Sequence, residues 1–221
     1  MSKTNLKVIL LGNKTSGKTS IINQYINKEF SFEYTMTIGQ DKQVKKIQVE
    51  NTILTLNIWD TAGQERFADV NKIFMKNSDI IILVYDITNK ESFESLNKWY
   101  AEIKNHIDIN KAIIGVAANK SDLYVDEEVN LDTAKEYCST INSLLIETSA
   151  TNYDSINNLF YQLSLEYYNK FIKTIEHDEN KQVNDNEESK SFNITEDTSN
   201  NKEENNQDKK NNNGNNKKIC C

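Results

Sequence analysis

The sequence predicts an α/β domain built on a doubly wound, mostly parallel six-stranded sheet flanked by helices. Short apolar runs alternate along the first 171 residues with longer stretches whose apolar side chains recur at helical spacing. Two runs, residues 80–84 and 113–116, show no polar alternation, which is typical of strands buried on both faces between helix layers. Repeated strand–helix units of this kind give a parallel sheet.

Each predicted element follows from its local pattern. Strands are predicted at residues 6–11, 43–50, 52–59, 79–85, 112–118 and 144–147. Helical spacing predicts helices at residues 18–27, near 66–76, and at 91–106, 131–141 and 155–171. The first helix follows the first strand directly. The loop between them therefore lies at the carboxyl edge of the sheet, where such folds bind ligands.

Composition divides the chain near residue 172. Residues 172–221 are rich in Asn, Glu, Lys, Asp and Ser and cannot bury enough apolar surface to offset their ordering entropy. We expect one domain over residues 1–171 and a disordered polar tail over residues 172–221. The net charge of −7 argues against a nucleic-acid polymer as partner. Three cysteines, Cys138, Cys220 and Cys221, form no disulfide framework and fit a reducing compartment.

The loop after the first predicted strand fits the phosphate-binding pattern G-x-x-x-x-G-K-[ST]. It reads Gly12-Asn13-Lys14-Thr15-Ser16-Gly17-Lys18-Thr19, with Ser20 following. Backbone N–H groups and the helix N-terminus hold positive partial charge at one point. Lys18 adds a full charge for the β- and γ-phosphates, and Thr19 offers a hydroxyl to Mg²⁺. The loop alone does not decide whether the nucleotide is ATP or GTP, or whether the protein is a switch or a metabolic enzyme.

A second motif, Trp59-Asp60-Thr61-Ala62-Gly63-Gln64, ends the third predicted strand. Asp60 is placed there to hold Mg²⁺, through a bound water. Gly63 permits close backbone approach to a terminal phosphate. Gln64 both donates and accepts hydrogen bonds, which suits it to orienting an attacking water.

A third motif, Asn119-Lys120-Ser121-Asp122, follows the buried strand at residues 112–118. The Asp122 carboxylate can accept from both N1–H and the exocyclic amine of guanine, whereas adenine would leave it unpaired. The run Glu147-Thr148-Ser149-Ala150 can offer backbone N–H groups to the guanine O6. These residues select guanine.

In this order the motifs resemble those of the small Ras-like GTPases over roughly residues 5–170, and WDTAGQERF at residues 59–67 with terminal Cys220-Cys221 is similar to the Rab family. The resemblance implies a P-loop GTPase fold that binds GTP or GDP with Mg²⁺. It implies that Phe30 stacks on guanine, that Tyr34 joins the nucleotide site, and that Thr37 and Thr19 bind Mg²⁺ directly. Gln64 then positions the hydrolytic water. Lys120 packs along the base, and Ser149, Ala150 and Thr151 complete its pocket.

The resemblance also implies a biological role. It is that of a monomeric, membrane-anchored GTP/GDP switch that hydrolyses GTP slowly and recruits effectors in vesicle trafficking. Geranylgeranyl groups on Cys220 and Cys221 would hold it at the cytoplasmic face of an intracellular membrane, cycling with the cytosol. The implied partners are an exchange factor, an activating protein, a prenyl-lipid chaperone and effectors. A metabolic phosphotransferase is disfavoured because Arg66 is the chain's one arginine, and Gln64 argues against a non-hydrolysing scaffold.

Three positions depart from the family pattern. Lys14 stands where the family usually has a small residue, and a bulkier side chain there obstructs the arginine finger of an activating protein. We hypothesise a long-lived GTP state; the alternative is that Lys14 points to solvent. Gln40-Asp41-Lys42 replaces a usual apolar–Asp–Phe run on the effector side, and Thr151 replaces a usual lysine.

Overall fold

The sheet has the strand order β2-β3-β1-β4-β5-β6. The computed structural model describes residues 3–31, 42–60 and 75–174. The strands are β1 (Asn5–Leu11), β2 (Lys42–Val49), β3 (Thr52–Trp59), β4 (Ile80–Asp86), β5 (Ile113–Asn119) and β6 (Leu144–Glu147). β2 and β3 pair antiparallel, and the other neighbours pair parallel. The predicted mostly parallel, six-stranded sheet is confirmed.

Helices connect the parallel strands. They are α1 (Lys18–Asn27), α2 (Lys90–Glu94), α3 (Leu96–His106), α4 (Leu131–Thr140) and α5 (Tyr153–Tyr167), which continues as a π-helix over Tyr168–Ile172. Short 3₁₀ helices cover Ile109–Lys111 and Ser121–Asp126. Asn89, Asn130 and Asn152 begin α2, α4 and α5, because each side chain accepts from an N–H of the first turn.

Two predicted helices differ from the structure in detail. The helix expected at residues 91–106 is divided at Ser95 into α2 and α3. The helix expected at residues 155–171 begins earlier, at Tyr153, because Asn152 caps it. Ile172 is buried in the core, so the packed chain extends past residue 171. Most of the helix expected near residues 66–76 lies outside the described residues.

The core has two layers, one on each face of the sheet. Along β4, Ile82 and Val84 join α1 and α5 in the first layer, while Ile81 and Leu83 join α3 and α4 in the second. This period of two is the alternation expected of a strand, here with both faces apolar. Cys138 lies in the second layer, as expected for a core thiol.

Contacts between residues separate the chain into two units, Met1–Ile175 and Glu176–Cys221. The second unit lies wholly outside the described residues. Among the helices the structure describes, none is both long and apolar enough to span a bilayer.

Candidate guanine-nucleotide site

The three sequence motifs meet at the carboxyl edge of the sheet. The phosphate loop, residues 12–19, links β1 to α1, and Asp60 follows β3. Asn119 ends β5, and Ser149 follows β6. Because β1, β3, β5 and β6 share one direction in the sheet, their carboxyl ends present these residues side by side.

Two glycines shape the phosphate loop. Gly12 has φ 149°, and a Cβ there would lie 2.1 Å from the carbonyl oxygen of Val84. Gly17 has φ 96°, and its Cβ would lie 2.1 Å from Nδ2 of Asn119. Both positions combine a left-handed backbone with a close approach, so only glycine fits without displacement.

Lys18 is held inside the loop. Its side chain is almost fully buried, and Nζ donates to the carbonyl oxygens of Gly12 at 2.8 Å and Asn13 at 2.7 Å. Burial lowers the pKa of Lys18 from 10.5 to about 8, and the nearby Asp60 carboxylate partly opposes that shift. An ammonium with so little water around it is suited to an anionic ligand such as a phosphate.

The N-terminus of α1 lies beside this ammonium. Gly17 precedes the helix and supplies no capping side chain, unlike the asparagines that begin α2, α4 and α5. The first N–H groups of a helix need an acceptor, and a phosphate can serve as one. Lys18 and the α1 N-terminus therefore form one electropositive site.

Thr19 and Asp60 form the next part of the edge. Thr19 Oγ1 donates to Asp60 Oδ2 at 2.7 Å, and the Asp60 residue is only 5% exposed. A hydroxyl and a carboxylate side by side supply the hard oxygen ligands that Mg²⁺ prefers. This donor set fits a magnesium ion bound beside the phosphates.

Asn119 links the base-selecting motif to the phosphate loop. The side chain is buried, and Nδ2 donates to the carbonyl oxygen of Ser16 at 2.7 Å. Its Oδ1 accepts from Thr148 Oγ1 at 3.3 Å. These bonds hold β5, β6 and the loop in one arrangement.

Asp122 meets the run after β6. Ser149 Oγ donates to Asp122 Oδ1 at 2.5 Å, and it accepts from the N–H of Thr151 at 3.1 Å. Ser149 and Ala150 are buried, whereas Asp122 is exposed and accessible to a ligand. The carboxylate is thus oriented from one side and open on the other, as a base-reading group requires.

Lys120 has a fixed position as well. Its backbone is left-handed at φ 64°, and Nζ lies 2.5 Å from Oδ2 of Asp86 at the end of β4. Asp86 Oδ1 accepts from Thr88 N–H at 3.0 Å, so the carboxylate is itself held. The Lys120 ammonium is thereby held at the carboxyl end of β4. Phe30, just beyond α1, is 37% exposed.

Other predicted residues have different surroundings or no description. Lys14 and Thr15 are exposed on the loop, and Ser20 is half-buried in α1. Asn13 directs its side chain away from Lys18, toward Ser95 and Trp99. Six predicted residues lie outside the described part of the chain: Tyr34, Thr37, Gly63, Gln64, Cys220 and Cys221.

The structure adds residues that sequence reasoning missed. Asp86 holds Lys120, and Ser95 with Trp99 holds Asn13. Thr148 was predicted to offer its backbone N–H to guanine, but that N–H donates to the carbonyl oxygen of Ala118 at 2.8 Å, and the Thr148 hydroxyl holds Asn119. Asp86 had a signal in the sequence, since it is a polar residue at the carboxyl end of an apolar strand.

A sequence model of the Ras family matches residues 7–169. The chain belongs to the Ras family. Ras-related protein Rab-22A of Homo sapiens is 38% identical over 164 residues, which cover 74% of this chain and 84% of the relative. Rab-31 of Rattus norvegicus is 40% identical over 164 residues, with coverage of 74% and 84%. RABA4b of Arabidopsis thaliana is 36% identical over 167 residues, with coverage of 76% and 74%.

These similarities make the chain a Rab-type small GTPase with the P-loop GTPase fold. The predicted family is confirmed. Members of the family hydrolyse GTP to GDP and phosphate, so the GTPase is an enzyme, as expected.

Proposed function

We propose that this GTPase is a membrane-anchored switch that binds GTP or GDP with Mg²⁺, hydrolyses GTP slowly and recruits effectors in vesicle trafficking. The observation that carries the nucleotide site is the contact of Asp122 with Ser149, beside Asn119 bonded to the phosphate loop. Base-reading and phosphate-binding residues thereby share one edge of the sheet.

The phosphates bind to residues 12–20. Their backbone N–H groups and the α1 N-terminus face the phosphates, and the Lys18 ammonium neutralises the β- and γ-phosphate charge. Such fixed positive groups stabilise charge on the transferred phosphoryl group without reorganising.

Guanine binds against six predicted residues. Asp122 accepts from its N1–H and exocyclic amine, while Lys120 and Phe30 pack along its faces. Ser149, Ala150 and Thr151 close the pocket around O6. Adenine lacks the two donors, so it would leave a carboxylate without partners, which is costly in a closed site.

Thr19 and Asp60 fit Mg²⁺, with Thr37 as the further ligand when a γ-phosphate is present. The ion neutralises charge on the phosphate oxygens when bound. Gly63 would permit close approach to the γ-phosphate, Tyr34 would join the nucleotide site, and Gln64 would orient the water that attacks the γ-phosphate. Loss of the γ-phosphate would release residues 30–39, which gives the two states of a switch.

The remaining parts of the proposal concern membranes and partners. Geranylgeranyl groups on both Cys220 and Cys221 would give stable attachment, since one lipid chain anchors only marginally. The C-terminal residues that follow the packed unit Met1–Ile175 would act as the tether between domain and membrane. An exchange factor, an activating protein, a prenyl-lipid chaperone and effectors would then act on a monomeric switch at an intracellular membrane.

Nucleotide exchange tests the core of the proposal. The full chain is loaded with fluorescent GDP, and unlabelled GTP, GDP and ATP are compared as competitors in the presence of Mg²⁺. We expect GTP and GDP to displace the label at similar concentrations and ATP to need at least about 100-fold more. Equal competition by ATP, or no binding of labelled GDP, would overturn the proposed specificity.

Membrane attachment has its own test. Wild type and a form lacking Cys220 and Cys221 are expressed in eukaryotic cells, and their partition between detergent and aqueous phases is compared. We expect the wild type in the detergent phase and the truncated form in the aqueous phase. Identical partition of the two would exclude these cysteines as the anchor.

Lys14 is exposed, in agreement with the alternative that it points to solvent. We propose that an exposed side chain at this position nevertheless obstructs the arginine finger of an activating protein, which is worth about 10³–10⁵ in rate. Lys14→Ser is expected to hydrolyse GTP at the wild-type rate alone and at least about tenfold faster than wild type with an activating protein. Single-turnover hydrolysis measures both rates, and equal stimulated rates would refute the role of Lys14.

A further inference from the structure

The side chain of Asn13 leaves the phosphate loop and enters the helical layer beside it. Its Nδ2 donates to Ser95 Oγ at 3.0 Å, and its Oδ1 accepts from Trp99 Nε1 at 3.2 Å. Trp99 is 8% exposed and Ser95 6% exposed, whereas Asn13 is half-buried, so both bonds are partly shielded from water. Ser95 and Trp99 lie one turn apart at the start of α3 and face the loop together.

The chemistry of these groups fixes the orientation of the Asn13 amide. The indole N–H can only donate, so it must meet the amide oxygen. The amide nitrogen is then left to donate to the Ser95 hydroxyl. Both polar ends of one side chain are thus satisfied by one helix, and a flip of the amide would break the bond to the indole.

The main chain of the same residue contacts Lys18. The carbonyl oxygen of Asn13 accepts from Lys18 Nζ at 2.7 Å and from the N–H of Ser16 at 3.3 Å. A side chain fixed to α3 therefore fixes the carbonyl that holds the Lys18 ammonium. Asn13 thus connects α3 to the Lys18 ammonium through its side chain and its carbonyl oxygen, and we call this pair of contacts the relay.

We propose that Asn13 is a positioning residue that fastens the phosphate loop to α3 through Ser95 and Trp99 and thereby slows nucleotide release. The proposal rests on the proposed nucleotide site. Loss of either bond lets the loop move away from α3, and the Lys18 ammonium moves with it. Release of GDP then becomes faster, although none of the partners on α3 touches the nucleotide.

Release of fluorescent GDP from the full-length protein tests this relay. Ser95→Ala and Trp99→Phe each remove one bond and leave the loop sequence intact. We expect each to speed release about fivefold, the effect of one hydrogen bond, and Asn13→Leu to speed it at least as much. Ser139→Ala on α4 makes the same chemical change away from the loop and is expected to release GDP at the wild-type rate.

Two further variants separate positioning from general stability. Ser95→Thr keeps a hydroxyl that can accept from the Asn13 amide, so it is expected to keep release slow where Ser95→Ala does not. The double variant Asn13→Leu, Trp99→Phe is expected to release no faster than Asn13→Leu, because both changes remove the same contact. Thermal melting of each nucleotide-free variant measures its overall stability. Comparison of the melting temperatures with the GDP release rates shows whether faster release accompanies general destabilisation.

The outcomes are distinct. Wild-type release from both Ser95→Ala and Trp99→Phe would overturn the relay while leaving the nucleotide site standing. Release from the double variant equal to the product of the single effects would also overturn it. If Asn13→Leu fails to fold, the two α3 variants decide. Failure of the wild type to bind labelled GDP would instead overturn the proposed function.

Discussion

Raising the pH from 7 to 9 is expected to weaken GDP binding about tenfold. Burial lowers the pKa of Lys18 to about 8, so the free loop holds a charged ammonium in most molecules at pH 7 and in about one tenth at pH 9. Bound phosphate raises that pKa, because an adjacent opposite charge favours the protonated form. The phosphates themselves stay ionised over this range, their second pKa being about 6.

Calorimetry of GDP binding from pH 6.5 to 9 with constant Mg²⁺ measures this dependence. Guanosine carries no phosphate and serves as the matched control for titration of the base. Binding near pH 8 is also expected to take up protons, which appears as heat that varies with the ionisation enthalpy of the buffer. An affinity for GDP that stays flat from pH 7 to 9, after correction with guanosine, would refute the reasoning.

Stability of the nucleotide-free protein is expected to change in the opposite direction. Because the folded pKa of Lys18 lies below 10.5, the unfolded chain binds more protons between about pH 8 and 10.5. The contribution of Lys18 to the free energy of unfolding therefore rises with pH, by up to about 3 kcal/mol. Lys18→Met removes this group, so the difference in urea unfolding between wild type and variant isolates it. A difference that stays constant from pH 7.5 to 10 would contradict the assigned pKa.

Three substitutions test other contacts of the site. Asp122→Asn is expected to weaken GDP binding at least about 100-fold in competition assays, since it loses two charge-assisted hydrogen bonds. The variant is expected to favour xanthosine diphosphate, because the 2-oxo group of xanthine accepts from the new amide. An unchanged preference for GDP would contradict base reading by Asp122. Thr19→Ala removes the hydroxyl beside Asp60. In a metal titration, the Mg²⁺ concentration for half-maximal GTP binding is expected to rise at least about tenfold. An unchanged Mg²⁺ concentration would exclude Thr19 as a ligand. Gly17→Ala places a Cβ 2.1 Å from Nδ2 of Asn119. The variant is expected to lower the free energy of unfolding by about 1–3 kcal/mol and to abolish detectable GDP binding. Urea unfolding and GDP binding equal to those of the wild type would refute the steric argument.

Most strand positions could be predicted because the strand is a short apolar run that ends at a polar residue or a turn; β2, with five Lys and Gln residues among its eight, is an exception. The run at residues 80–84 has no alternation, and in the structure β4 is buried along its whole length. The start of α5 could also have been placed correctly, since Asn152 followed by Asp154 is a helix-capping pattern. Neighbouring residues in the sequence are sufficient to predict such features.

Contacts across long sequence separations could not be predicted. No helix-breaking residue marks the division between α2 and α3 at Ser95. Asn13, which donates to the Ser95 hydroxyl, lies 82 residues away in the sequence. Asp79 is another example, because it is buried at 6% exposure and receives Lys3 Nζ at 2.6 Å and the N–H of Lys7 at 2.8 Å. A charged residue before a strand suggests an exposed turn unless its distant partners are known.

The enclosure of the phosphate loop has a consequence for synthesis of the protein. The loop is complete in sequence by Thr19, yet the atoms that confine its glycines belong to Val84 and Asn119. A growing chain that has reached only β3 carries the motif without its shape. If the site binds nucleotide as proposed, GTP and GDP would stabilise only chains that have gained both β5 and the residues after β6, since Asn119 and Asp122 contact Thr148 and Ser149. Shorter chains would carry the phosphate-loop sequence without this stabilisation.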